Sequence, residues 1–296
     1  MGKRIIFSAD HYFHIGAPHL TGGKPCQDYA LSGVLGDIAY AIVSDGCSTG
    51  GNTDVGARLV ALSTATIIKK FAFIKLTNRL PEDVNVRQSV VLAETQEILG
   101  LTVPDLYATS IYACLSKEGG YVSVRGDGAI ALKYRSGSIE IFRYDWLDNT
   151  PYYPAYEGAG EAVFVTAHGE NLEAFRFKEE HFVFEPGGVC EWKETRNLTL
   201  REGMEGVVLD ISKEKVESEL AFVAVFSDGV EQIEETAFTD AVIKFLAYKN
   251  IHGEFVKRRL IKAIKEVQKS GLQLLDDVAN AVIAIKEIVD DEEVLV

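Results

Sequence analysis

Two stretches of the chain, "AYAIVSDG" (39–46) and "FVAVFSDG" (222–229), run as unbroken apolar strands and then stop on Ser-Asp-Gly. A strand of such composition is built for the protein interior, buried on both faces within a layered sheet. A third stretch, "YVSVRGDGAIAL" (121–132), carries a related Gly-Asp-Gly between two strands, and "LLDDVANAVIAI" (274–285) opens a strand on Asp276-Asp277. Taken singly, Asp-Gly is a common turn dipeptide that reverses a strand. Taken together they imply more. In an antiparallel sheet the end of one strand and the start of its neighbour share an edge, so Asp45, Asp127, Asp228 and Asp276 are expected on one rim. Carboxylates so gathered repel one another, and either raised pKa values or bound divalent cations must relieve them. Oxygen donors without Cys or His favour Mg²⁺ or Mn²⁺.

The spacing of apolar residues predicts helices over about 54–75, with Val55, Leu59, Leu62, Thr66, Ile67 and Phe71 on one face, and over 81–99, with Val84, Val91, Leu92, Ile98 and Leu99 inward. Thr53 or Asp54 is the expected cap of the first. Hairpins follow through residues 109–144, punctuated by Glu118-Gly119-Gly120 and Arg135-Ser136-Gly137-Ser138. Residues 145–220 hold short strand candidates, "AVFVTA", "HFVFE" and "RNLTLR", with "GAGEA" (158–162) read as a loop. Two further helices, about 236–249 and 254–269, precede a final strand at 279–289 and an acidic tail. Strands in hairpins with helices segregated in pairs give an α+β layered fold, read as one domain over 1–296 whose tail begins near 287. With 44 acidic against 30 basic residues the formal charge is −14, which disfavours nucleic acid and anionic membrane as partners. Four cysteines without CxxC spacing, and no apolar run long enough for a leader or a membrane span, point to a cytoplasmic protein with reduced thiols.

The order of these pieces resembles the metal-dependent Ser/Thr protein phosphatases of type 2C, in a bacterial form. "GKPCQDYA" (23–30) stands where the family has Glu-Asp, "VSDGCSTGGNTDVGARL" (43–59) for its Asp-Gly-x-Gly-Gly segment, and "YATSIYACL" (107–115) for its Thr-bearing strand. "VRGDGAIAL", "VFSDGVEQ" and "LDDVANAVI" complete the series in the family's order. The resemblance implies a four-layer α-β-β-α sandwich, two antiparallel sheets flanked by helix pairs, with two or three Mn²⁺ or Mg²⁺ ions at one end. Position by position it implies that Asp45 bridges two ions and the Gly46 carbonyl binds one, that Asp228 and Asp276 complete the other, and that Asp127 with Asp228 forms a weaker third position. Asp28 would hold metal-bound water and Asp277 the neighbouring Asn-or-Asp position. The implied activity is hydrolysis of phosphoserine and phosphothreonine in a phosphorylated protein by metal-activated water, with Asp45, Asp228 and Asp276 at its centre.

The chain departs from the family pattern at three points. Gln27 replaces a metal-binding Glu, keeping an oxygen donor but no charge. Gly23 stands near the place of a phosphate-binding Arg, for which Lys24 or His19 is the nearest substitute. Cys47 follows Asp45-Gly46 where some relatives carry a His, and is read as a buried, inert thiol. Gly50-Gly51 is either an anion-binding nest or a flexible connection. These departures keep two other functions open, a non-enzymatic regulatory domain on the same fold and a hydrolase of small phosphoesters.

Overall fold

Along each central strand, successive residues enter different cores. Val223 and Val225 pack between two sheets while Ala224 and Phe226 pack against helices; Ala39, Ala41 and Val43 face the sheet interface while Ile38, Tyr40 and Ile42 face the opposite helix pair. A strand covered on both faces has no polar side, which explains its unbroken apolar sequence. The computed structural model describes residues 3–71, 80–157 and 159–289.

Among the described residues, twelve strands form two antiparallel sheets: β1 (Lys3–His14), β2 (Tyr29–Leu35), β3 (Ile38–Ser44), β4 (Ser110–Ser116), β5 (Gly119–Arg125), β6 (Gly128–Tyr134), β7 (Ile139–Trp146), β8 (Phe175–Phe184), β9 (Cys190–Thr199), β10 (Val207–Ser212), β11 (Leu220–Phe226) and β12 (Val278–Val289). One sheet has the order β1-β12-β11-β6-β7-β8-β9, the other β10-β5-β4-β3-β2. The helices are α1 (Ala17–Thr21), α2 (Thr53–Phe71), α3 (Leu80–Leu99), α4 (Ala159–His168), α5 (Leu200–Glu205), α6 (Phe238–Phe245) and α7 (Phe255–Lys269). Helix α2 covers the five-stranded sheet with α3 alongside, and α6 and α7 cover the seven-stranded sheet. The expected α+β sandwich of two antiparallel sheets is therefore present.

Several local expectations change. Helix α2 buries the expected Ile67 together with Ala57, Val60, Ala61, Thr64, Ala65 and Ile68, whereas Leu62 is 48% exposed; the buried face is rotated from the expected one, because small residues let the helix sit close on the sheet and leave Leu62 on the groove shared with α3. Ile98 at 79% exposure and Leu99 are likewise outside the core. Residues 72–75 of the expected first helix and the acidic residues 290–293 lie outside the described residues. Helix α6 ends at Phe245, short of 249. "AVFVTA" is helical, within α4, and so is most of "GAGEA". Its β-branched residues suggested a strand, but Phe164 packs on Trp146, Tyr152 and Tyr156, and on His168 one turn away; tertiary contact overrides propensity here. Thr53 is not an N-cap: its hydroxyl donates to Cys47 O and accepts from Gln27 Nε2.

Helix α7 starts without a cap of its own, and β1 supplies one. Asp10 Oδ2 accepts from Val256 N at 2.6 Å. Asp10→Ala is expected to lower stability by about 1 kcal/mol, read from the urea midpoint; an unchanged midpoint would show that the contact contributes nothing.

Candidate metal centre

One end of the sandwich collects the acidic strand termini. Asp28 immediately precedes β2, Asp45 follows β3, Asp127 sits in the turn from β5 to β6, Asp228 follows β11 and Ser227, and Asp276-Asp277 precede β12. Tyr29 pairs with Ser44, Ala129 with Phe226, and Phe226 with Asn280, so the register brings all of these termini to the same rim. Gly126 and Gly128 flank Asp127 at φ +101° and +135°, a left-handed conformation that glycine adopts without strain.

Each carboxylate is held by backbone or hydroxyl groups. Thr109 grips the Asp45 backbone from both sides: its Oγ1 accepts from Asp45 N at 2.9 Å and its N donates to Asp45 O at 2.8 Å. Ser227 Oγ donates to Asp28 Oδ2 at 2.6 Å and accepts from Ala279 N at 2.8 Å, tying β11, β12 and the start of β2 together. Gln232 Nε2 lies 3.3 Å from Asp228 Oδ2 and 3.1 Å from Asp276 Oδ2, donating between the two. Asp277 is buried and its two oxygens accept from Gly16 N at 2.7 Å and Gln27 N at 2.6 Å.

Asp45 is within hydrogen-bonding reach of both Asp28 and Asp228. Among the described residues, no Lys or Arg makes an ion pair with Asp28, Asp45, Asp127 or Asp228. Burial pushes the carboxyls of Asp28, Asp45, Asp127 and Asp276 above their usual range, and the charge of Asp228 pushes each further. Glu231, one turn beyond Asp228, is raised to about 7 by burial despite its contact with Arg143. The Gln27 carbonyl oxygen is buried without a hydrogen-bond partner, its amide nitrogen being taken by Thr53. Crowded carboxylates short of positive charge and an orphaned amide oxygen form a donor set that fits hard divalent cations.

The raised carboxyls fix a pH dependence. In the unfolded chain they titrate near ~4; in the folded, metal-free protein they hold their protons to higher pH. Their contribution to stability is complete below the unfolded value and is lost as pH rises through the folded values. Melting in EDTA is therefore expected to occur at lower temperature at pH 8 than at pH 6, and the rise on adding Mn²⁺ to be larger at pH 8, where fewer protons compete. A Mn²⁺ shift independent of pH would contradict this.

The sequence model of protein phosphatase 2C matches residues 15–265. The chain belongs to the protein phosphatase 2C family. No curated protein matches it. Among solved structures, a point variant of a bacterial serine phosphatase aligns at 11% identity and TM-score 0.56, over 95% of this chain and 98% of that one. The serine/threonine phosphatase Stp1 from Staphylococcus aureus aligns at 10% identity and TM-score 0.54, over 95% and 96%. The phosphatase domain of SpoIIE from Bacillus subtilis, with a fragment of its regulatory domain, aligns at 13% identity and TM-score 0.52, over 97% and 66%. At such identities the likeness is one of fold.

Within this protein phosphatase 2C fold, Lys24 is exposed on the loop after α1, and the side chain of His19 turns to the acids, Nδ1 lying 3.0 Å from Asp277 Oδ2. Cys47 is half-buried rather than buried. Burial pushes its thiol up, but hydrogen bonds with Thr49 and Tyr153 outweigh that and hold it below the usual thiol range. The Gly50-Gly51 turn is occupied by the chain itself. A Cβ on Gly51 would lie 2.2 Å from Asp105 Oδ1, and that carboxylate, which accepts from Asn52 N and Thr102 N, is held down at about 2 by these bonds. Sequence reasoning missed Gln232, Ser227 as a tether, and Tyr153, whose buried phenol is raised by burial and by Asp127, Cys47 and Asp45. Gln232 had a signal: it stands four residues after Asp228, directly after the short 3₁₀ turn that Asp228 opens.

Proposed function

We propose that this chain is a single-domain, metal-dependent phosphoprotein phosphatase of the cytoplasm, hydrolysing phosphoserine and phosphothreonine. The observation that carries the reading is the convergence of Asp28, Asp45 and Asp228 within hydrogen-bonding reach, beside Asp276 and Asp127, with no Lys or Arg among the described residues in an ion pair with Asp28, Asp45, Asp127 or Asp228. Asp45, the Gly46 carbonyl, Asp228, Asp276 and the amide oxygen of Gln27 would hold two Mn²⁺ or Mg²⁺ ions, and Asp127 with Asp228 a third. Divalent cations at such a rim activate water for in-line attack on phosphorus and neutralise phosphate charge.

The chain's own groups do the positioning. Thr109 fixes the Asp45 backbone from which its carboxylate projects. Asp28, oriented by Ser227, is the acceptor that would hold and align the attacking water. Gln232 keeps Asp228 and Asp276 at a common spacing. Lys24, exposed on the loop after α1, would be the cation for the incoming phosphate. No helix among the described residues is long and apolar enough to cross a membrane.

The test is hydrolysis of p-nitrophenyl phosphate and of a phosphothreonine peptide with and without Mn²⁺. Turnover that needs Mn²⁺ and stops with excess EDTA is expected. Hydrolysis indifferent to EDTA would overturn the metal-dependent reading. Mn²⁺ binding without turnover of either compound would favour a regulatory domain instead, and turnover of the small ester alone a small-molecule hydrolase.

A further inference from the structure

His19 lies on α1, a single turn that packs against the segment entering β12. A Cβ on Gly16 would fall 2.4 Å from the Asp276 backbone carbon, and Ala17 N donates to Leu274 O at 3.0 Å. The absence of a side chain at Gly16 thus lets α1 sit directly on Asp276-Asp277, and the His19 side chain, 13% exposed, is carried in with it. Its Nδ1 is 3.0 Å from Asp277 Oδ2 and 3.9 Å from Asp276 Oδ1, and one donor atom from each of the three residues lies within 4.8 Å of the others. Asp277 is not free to move toward or away from the imidazole, because Gly16 N and Gln27 N hold both its oxygens.

The orientation of the ring decides between two chemistries. An imidazolium paired with a carboxylate points its N–H at the oxygen. His19 Nδ1 instead is buried with no aligned hydrogen-bond partner, despite the short separation. Two donors that are close but not aimed at each other are what cis ligands of one octahedral ion look like: at about 2.1 Å from the ion, such donors stand about 3 Å apart, and each lone pair points to the ion between them.

We propose that His19 is a nitrogen ligand to a divalent cation shared with Asp276 and Asp277. The inference rests on the metal-dependent reading of the rim. An imidazole among oxygen donors shifts selectivity away from Mg²⁺ and toward Mn²⁺ and the later first-row ions, since carboxylate and water suit Mg²⁺ while imidazole suits the softer transition metals. Gln27, which carries no charge, removes anionic attraction from the neighbouring ligand position; the nitrogen donor adds affinity that does not depend on charge.

The decisive measurement is pulsed electron paramagnetic resonance on the full chain loaded with Mn²⁺. Modulation from a ¹⁴N nucleus is expected in the unmodified protein and is lost in His19→Gln, which has no imidazole nitrogen. By titration calorimetry the same variant weakens Mn²⁺ on the order of 10- to 100-fold and leaves Mg²⁺ affinity unchanged. Mn²⁺ bound without ¹⁴N modulation, or modulation that survives in His19→Gln, overturns the assignment and leaves the wider reading intact. A chain that takes up no Mn²⁺ at all overturns both.

Discussion

Asp45→Asn is expected to cut Mn²⁺-dependent hydrolysis of p-nitrophenyl phosphate by at least about 10²- to 10³-fold, the scale seen when one preorganised charge-stabilising group is removed from a site. It is also expected to raise the melting temperature of the metal-free protein. The two effects have one cause. Asp45 is the carboxylate within reach of both Asp28 and Asp228, so it meets repulsion from both when ions are removed and, on the proposed reading, would be the shared ligand when they are bound. The amide keeps the side chain's shape, sheds the charge, and donates to whichever neighbour is ionised. Thr109 continues to hold the backbone, so the fold has no reason to shift. Melting in EDTA and steady-state kinetics in Mn²⁺ check the pair. Retained activity would remove Asp45 from the centre, and an unchanged melting temperature would mean that the acids do not strain the metal-free fold.

Asp277→Ala acts on stability in the opposite direction. The carboxylate is the acceptor for Gly16 N and Gln27 N, both buried with it, and its removal leaves two donors dry at about 1–3 kcal/mol each, so a loss of about 2–6 kcal/mol is expected. Asp277→Asn, with one carbonyl oxygen in place of two acceptors, should fall between. Urea unfolding in EDTA isolates this from any effect of cations. A loss below about 1 kcal/mol for the alanine variant would show that the Gly16 and Gln27 segments find other acceptors.

The residues of the rim were legible because chemistry and architecture coincide there. "IVSDG" and "VFSDG" are legible as buried strands ending in acids because both faces of β3 and β11 are covered and the chain must turn where the cover ends. The serines in those same words carry information that spacing does not reveal: Ser44 Oγ donates to Thr109 O and Ser227 Oγ to Asp28 Oδ2, each a link between segments more than 60 residues apart. The polar links of His19 and of Gln232 with the acids were hidden in the same way, as products of register and loop closure. The middle of the chain was read least well. In α4 the side chains that decide the conformation, Trp146, Tyr152 and Tyr156, belong to the segment preceding it, so no local window holds the answer. The rotated face of α2 has a similar origin: alanines, weak markers of burial in sequence, make the closest contact with the sheet, and the larger Leu62 is left outside.

The pairing of β1 with β12 is antiparallel along its whole length, with His14 opposite Val278 beside the acids and Lys3 opposite Val289 at the far end. Residues 3 and 289 are thus one strand spacing apart, about 4.8 Å, and remote from the acidic rim. A short peptide can splice them, and the ring so made can be reopened at residues 186–188 between β8 and β9. Such a circular permutant would carry new ends at the opposite edge of the seven-stranded sheet while leaving each acidic terminus on its own strand, which makes the framework suited to insertion of reporter domains at either location.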